Sequence, residues 1–152
     1  MSRAFVKEGD GVEELPDRLI SPHANLVTPE GLQLIDEEVR RISRDYAEAQ
    51  AAADRDGLAA AARDLRYWTA RRASAEVVTP PADAAEVHFG STVTLARSDG
   101  RKQAYRIVGE DEADPSKGTL SWVSPLARQL NTKRVGDEVS AGAFTFEILQ
   151  IS

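Results

Sequence analysis

Apolar residues at Leu32, Ile35, Val39, Ile42, Tyr46, Ala49 and Ala53 recur at intervals of alternately three and four. Such a heptad seam runs along one face of an α-helix, and it is stable only when buried against a partner. Leu58, Ala61, Leu65, Trp68, Arg72 and Ala75 continue the spacing, with the aliphatic stem of Arg72 covering the seam near its end. Between the two runs stands Asp54-Arg55-Asp56-Gly57, set in a field of alanine. Alanine is the strongest helix former and glycine among the weakest, so the order reads helix, interruption, helix. A link of about four residues makes the two helices neighbours, folded back on each other as an antiparallel hairpin. Each arm of about 24 residues would extend roughly 36 Å. The seam thins from leucine, isoleucine and valine at the base to alanine near the turn, which allows close approach and a slender tip.

The boundaries of this hairpin are set by local chemistry. Thr28-Pro29-Glu30 is a helix start: a hydroxyl cap, proline at the first helical position and an acid near the positive end of the dipole. Residues 1–27, with Gly9-Asp10-Gly11, Pro16 and Ser21-Pro22, read as a tail pinned at points such as Leu19, Ile20 and Leu26. Thr79-Pro80-Pro81 ends the second helix. The domains expected are therefore a tail (1–27), an antiparallel coiled-coil hairpin (28–79) and a globular domain (80–152).

The globular part alternates like strands. Ser91–Leu95 and Ala104–Val108 flank the turn Ser98-Asp99-Gly100, Thr119–Val123 is a third strand, and Phe144, Phe146 and Ile148 share one face of a closing strand. Ser124-Pro125 caps and opens a short helix through Leu130, while Gly136-Asp137 and Gly142 mark further turns. The fold class expected is α+β: a helical hairpin plus a small antiparallel sheet with one short helix.

Composition removes several function classes. With no cysteine there is no disulfide framework, no thiolate-bound zinc or iron–sulfur site and no cysteine nucleophile. His23 and His88 have no ligand partner at helical spacing, no glycine-rich phosphate loop follows a strand, and no nucleophile elbow is present. Side-chain catalysis and a metal held by the free protein are not expected. A net charge of −6 argues against a direct grip on duplex phosphates. The amino terminus turns acidic before any apolar run and no later stretch has membrane-spanning length, so a cytoplasmic, membrane-free protein is expected.

Two acidic features stand out. The loop Glu110-Asp111-Glu112-Ala113-Asp114 lacks the spacing of an EF-hand and reads as a solvated loop or a charged docking surface. Asp54 and Asp56 admit two readings. They are a polar helix turn in which Gly57 takes the left-handed conformation, or they are carboxylates carried on a thin rod into a confined site, where hard oxygen ligands hold magnesium and orient water.

The stretch His88-Phe89-Gly90-Ser91-Thr92-Val93-Thr94-Leu95, then Tyr105 through Asp114, Ser124-Pro125-Leu126-Ala127 and Gly136-Asp137-Glu138-Val139 resembles the carboxy-terminal domain of the bacterial Gre transcription elongation factors. Val27-Thr28-Pro29-Glu30-Gly31-Leu32 is similar to the start of that family's first helix. The resemblance implies an antiparallel coiled coil joined to a domain like the FK506-binding fold. It also implies docking of that domain, through Ser124, Pro125, Leu126 and Ala127 with Glu110, Asp111, Glu112 and Asp114 nearby, on the rim of the RNA polymerase secondary channel. The coiled coil would then reach toward the active site, where tip acids, here Asp54 and Asp56, help hold a shared magnesium ion while the polymerase cleaves a backtracked transcript.

The tip departs from the family pattern. Cleavage factors read Gly-Asp-Leu followed by Glu-Asn, whereas this chain reads Asp-Arg-Asp-Gly-Leu followed by alanines, and its arms are shorter by roughly two to three turns each. Two functions stay open on the resemblance: a monomeric elongation factor that stimulates cleavage, touching nucleic acid only indirectly, or a polymerase-binding regulator that competes for the same channel without cleavage. A prolyl isomerase, the third class, would need an aromatic-lined pocket, and the chain has only four phenylalanines, three tyrosines and two tryptophans.

Overall fold

The structure is a computed structural model and describes residues 14–152. It is a mixed α+β protein with the order β1 (Leu26–Val27), α1 (Pro29–Ala51), α2 (Arg55–Ser74), β2 (Glu76–Val77), β3 (Thr92–Arg97), β4 (Lys102–Val108), a 3₁₀ turn (Pro115–Lys117), β5 (Thr119–Ser121), α3 (Pro125–Leu130), β6 (Glu138–Ala141) and β7 (Phe144–Ile151). The chain separates into two compact units. Among the described residues one comprises 14–22 and 35–74, the other 23–34 and 75–152.

In the first unit the heptad seam is the buried line. Ile35, Ile42 and Ala49, each seven residues from the next, are buried on α1, and Ala61 and Trp68 repeat the interval on α2. The small Ala49, Ala59 and Ala61 fill the seam near the link. The buried position that follows Trp68 on α2 comes three residues on, where four was expected. Arg71 is 1% exposed, whereas Arg72 lies at the surface and binds Asp36 through Nε at 2.6 Å, and Ala75 falls beyond the helix end. The buried arginine is therefore Arg71 rather than Arg72, and Arg72 ties the two helices together from outside.

The interruption also sits earlier than the sequence suggested. Helix α1 stops at Ala51 and α2 begins at Arg55, so the link is Ala52–Asp54 and Gly57 lies inside α2. Ala53, not Gly57, takes the left-handed conformation, at φ 54°. The N–H of Asp54 donates to the Ala49 carbonyl at 2.9 Å, and that of Ala53 to the Gln50 carbonyl at 3.2 Å. This is the six-to-one and five-to-two pairing of a Schellman motif, which normally recruits glycine at the left-handed position.

The expected tail is partly packed. Residues 1–13 lie outside the described residues. Leu19 and Ile20, expected as anchoring points, are 96% and 50% exposed, and Leu26 instead enters the two-stranded parallel sheet of β1 with β2, where Leu26 faces Glu76 and Val27 faces Val77.

In the second unit the sheet runs in the order β5-β4-β3-β7-β6. Strand β3 is antiparallel to β4 and β7, with a register shift at Thr94/Leu95, and β6 is antiparallel to β7. The sheet is not wholly antiparallel: β5 joins β4 in parallel, because the chain from β4 crosses back through the 3₁₀ turn before Thr119. Val93 and Leu95, Ile107, Phe146 and Ile148 point into one core with Val87, Val139, Ala127 and Leu130. Alternation put these residues on one face. Phe144, expected on the same face, lies at its edge, 36% exposed, with the Arg97 guanidinium 4.0 Å above its ring.

Candidate functional site

The acidic tip belongs to the helical unit. Both Asp54 and Asp56 are exposed. Asp54 is the cap of α2: its Oδ1 accepts from the Gly57 N–H at 3.0 Å, and its carbonyl accepts from the Leu58 N–H at 2.9 Å. One residue thus closes α1 and opens α2. A methyl group at Gly57 would meet the Asp54 carboxylate as placed, so the carboxylate would have to shift to admit a side chain there. Asp56 follows in the first turn of α2, where a negative charge opposes the positive end of the helix dipole.

Beside the link, a cleft of about 510 Å³ is lined by Asp45, Glu48, Asp54 and Asp64 along with Arg41, Ile42 and small residues. Arg41 binds Glu38 at 2.9 Å and Asp45 at 3.4 Å; its hydrogen bond holds the Glu38 carboxyl below the usual range. Four carboxylates against one guanidinium make this face of the tip negative. Asp45, Glu48 and Asp64 were not singled out from sequence, although their places flanking the apolar seam were readable there. Among the described residues no group of three or more histidines and acids is placed to hold a metal ion.

In the sheet unit, the acids expected at a docking surface divide by role. Glu112 is turned inward. Its Oε2 accepts from the backbone N–H of Thr28 at 2.9 Å and of Gly109 at 3.0 Å, while its Oε1 receives the Thr28 hydroxyl. The Thr28 Oγ1 in turn accepts from the Gly31 N–H at 2.9 Å, so the acid loop caps the cap of α1. In the same turn Glu30 binds Arg106 at 3.1 Å, and hydrogen bonds from its own N–H and from Arg106 hold its carboxyl below the ordinary value. Asp114 caps the 3₁₀ turn, accepting from the Ser116 N–H at 3.1 Å and hydroxyl at 2.6 Å, and these bonds lower its pKa. Glu110 and Asp111 are half-buried, with the Oε2 of Glu110 buried and lacking a hydrogen-bond partner.

The Ser124-Pro125-Leu126-Ala127 run forms the start of α3. Ser124 is its cap, its Oγ accepting from the Ala127 N–H at 3.4 Å. Pro125 is exposed, Leu126 half-buried, and Ala127 buried in the core. Next to it opens an apolar cavity of about 330 Å³ lined by Leu26, Phe89, Ile107, Trp122, Ala127, Arg128 and Asn131. The Trp122 Nε1, a donor, is buried with no acceptor. The His23 ring stands edge-on to Trp122 at 6.0 Å and its Nε2 lies 3.5 Å from Arg128. The sequence places Trp122 in a strand over Thr119–Val123, whereas β5 ends at Ser121 and Trp122 lies in the turn that follows, lining a cavity that alternation does not report.

Residues 82–152 match the family described as "Transcription elongation factor, GreA/GreB, C-term". The chain is 38% identical over 150 residues to transcription elongation factor GreB of Xanthomonas axonopodis pv. citri, covering 83% of this chain and 89% of that protein. It is 49% identical over 79 residues to GreB of Neisseria meningitidis serogroup A, where the match spans 51% of this chain and about half of the relative, 48%. A solved structure, GreA factor homolog 1 of Thermus thermophilus, aligns over 86% of this chain and 99% of its own at 19% identity and a TM-score of 0.42. With the seam, the capped first helix and the Ser124 to Ala127 turn in place, the chain belongs to the GreA/GreB family of transcription elongation factors.

Proposed function

We propose that this protein is a transcription elongation factor that binds bacterial RNA polymerase at its secondary channel and modulates backtracked complexes through the acids of its helical tip. The reading takes the helix pair as a coiled-coil hairpin and the sheet unit as an FKBP-like domain. The observation that carries it is a pair of exposed carboxylates, Asp54 on the link between two seam-packed helices and Asp56 in the first turn of the second, in a chain of this family. The sheet unit serves as the dock. Pro125 and Leu126 meet the polymerase, Glu110, Asp111 and Asp114 add negative charge beside them, and Glu112 and Ala127 hold the surface in shape from beneath. The cavity beside α3 receives an apolar side chain of the polymerase.

Carboxylate oxygens are the donors magnesium prefers, and two are too few for a closed site, so the ion would be shared with polymerase carboxylates. A shared magnesium ion supplies Lewis-acid stabilisation of an attacking water or a leaving oxygen. Asp54 and Asp56 bring negative charge to that position, and the Gly57 N–H fixes the orientation of the Asp54 carboxylate. The chain contributes no nuclease chemistry alone. It acts as a monomer in the cytoplasm, with nucleic acid contacted only through the elongation complex. No described helix is long and apolar enough to cross a membrane.

A second reading, a regulator that occupies the channel without promoting cleavage, is favoured by Asp54 being engaged as a helix cap. A backtracked-complex assay separates the two. Transcript shortening on addition of the protein supports cleavage stimulation; blocked action of a cleavage factor, with no shortening of its own, supports competition. No binding to polymerase at all would end both.

A further inference from the structure

Residues 14–18 lie along α2 between Leu58 and Trp68. Leu15 is half-buried and, with Tyr46, Leu58, Ala59 and Ala62, lines a cavity of about 270 Å³. The Leu15 carbonyl accepts from Arg66 Nη2 at 3.1 Å, and Asp17 binds Arg66 Nε at 2.5 Å. Arg18 lies 3.9 Å above the Tyr67 ring and reaches Asp64 at 3.4 Å, an acid that Arg63 also binds at 3.0 Å. Chain number rises along the segment as it rises along α2, so the segment runs beside the helix in its own direction, starting at the end that carries Asp54 and Asp56.

The helix it covers is the weaker of the pair. Its buried residues are Ala59, Ala61, Trp68 and Arg71, and three of those four carry little apolar volume or a charge. Two helices of 23 and 20 residues with an alanine-filled seam bury little surface near their link, and short helices in water depend on such burial. We propose that residues 14–18 are a releasable clasp, which makes the helix pair a three-element unit and sets how rigidly its tip is presented. The clasp is ionic on its outer side. The Asp17–Arg66 pair is 74% and 41% exposed, and Arg18 is 40% exposed, so added salt screens these contacts while leaving the buried seam nearly untouched. Low ionic strength closes the clasp; high ionic strength loosens it and uncovers Leu58 and Ala62.

Hydrogen exchange of the free full-length protein tests this without polymerase, so a failure here is distinct from a failure of the polymerase reading. Asp17→Arg speeds exchange of the amides of residues 55–66 about two- to fivefold at low salt, and combining it with Arg66→Asp restores most of the protection. Raising the salt speeds exchange in wild type and slows it in the single variant, whose new like charge beside Arg66 is screened, so the two converge. Leu15→Ala, which removes the apolar contact and no charge, speeds exchange of the same amides at every salt concentration. The clasp is overturned by exchange over residues 55–66 that ignores Asp17→Arg, or by a double reversal that protects no better than the single one.

Discussion

The carboxylate of Glu112 accepts the backbone N–H of Thr28 at 2.9 Å across 84 residues of sequence. It also receives the Gly109 N–H and the Thr28 hydroxyl, so one acid ties the start of α1 to the loop after β4. Glu112→Ala leaves two backbone donors without their charged acceptor and lowers stability by about 2 kcal/mol. Glu112→Gln, which keeps an acceptor, costs about half as much. Chemical denaturation of the two variants checks the order; equal and negligible losses would show that the carboxylate is not what holds this corner.

Gly31 lies against the same acid, and a methyl group there would collide with the Glu112 carboxyl. Gly31→Ala therefore destabilises the protein by at least 1 kcal/mol, although alanine in a helix interior is ordinarily better than glycine by about that amount. Combined with Glu112→Ala, the Gly31→Ala change becomes neutral or favourable. A double-mutant cycle measures this coupling directly, and strict additivity would remove the steric account.

Ala53 holds a left-handed conformation at φ 54° between the two helices. An L-residue with a Cβ is strained there by about 1 kcal/mol, whereas glycine is not. Ala53→Gly thus stabilises the helix pair by roughly 0.5 kcal/mol or less, after allowance for glycine's larger unfolded-state entropy. A rise in thermal midpoint is the expected readout, and a fall would mean that the link does not close through this residue.

Asp54 needs a substitution that separates charge from capping. Asn caps about as well as Asp, so Asp54→Asn keeps the Gly57 hydrogen bond and removes the negative charge. Asp54→Ala removes both and costs about 1 kcal/mol of stability. If the tip acts through its carboxylates, Asp54→Asn and Asp56→Asn lose the effect on backtracked complexes while costing only the helix-dipole contribution of each charge, about 0.3–1 kcal/mol. Full activity in the Asn double variant would leave the acids with structural work only.

These residues also mark how far the sequence could be read. The seven-residue recurrence of Ile35, Ile42 and Ala49 is dictated by burial, and burial is written in residue type. Alternation likewise exposed Val93, Leu95, Phe146 and Ile148 as core. The left-handed position was assigned to Gly57 because glycine is its usual occupant, but the helix ended where its own hydrogen bonds closed, at Ala53. Arg71 and Arg72 are adjacent and chemically identical, so no local signal says which is buried. Glu112 looks like any acid of a charged loop, and its partners at Thr28 and Gly31 become neighbours only through the fold. The parallel pairing of β5 is equally nonlocal, since it depends on how the chain after β4 crosses over.

The turn between β3 and β4 gives a pH signature. Arg97 binds Asp99 through two nitrogens, at 2.9 and 2.5 Å, and the Arg101 N–H donates to the same carboxylate at 3.2 Å. The hydrogen bond from Arg97 is the main cause that holds the Asp99 pKa down from 3.8 to about 2. A carboxyl with a depressed folded value favours the folded state when ionised, so its contribution is complete above the unfolded value near 3.8 and disappears as pH falls through about 2. Asp99→Asn removes the charge and with it this dependence. Wild type is therefore the more stable of the two at pH 7, its advantage shrinks between pH 4 and pH 2, and the two converge in stronger acid. Denaturant midpoints across that range test the sign: an advantage of wild type that grew on acidification would contradict the depressed value and the Arg97 contact behind it.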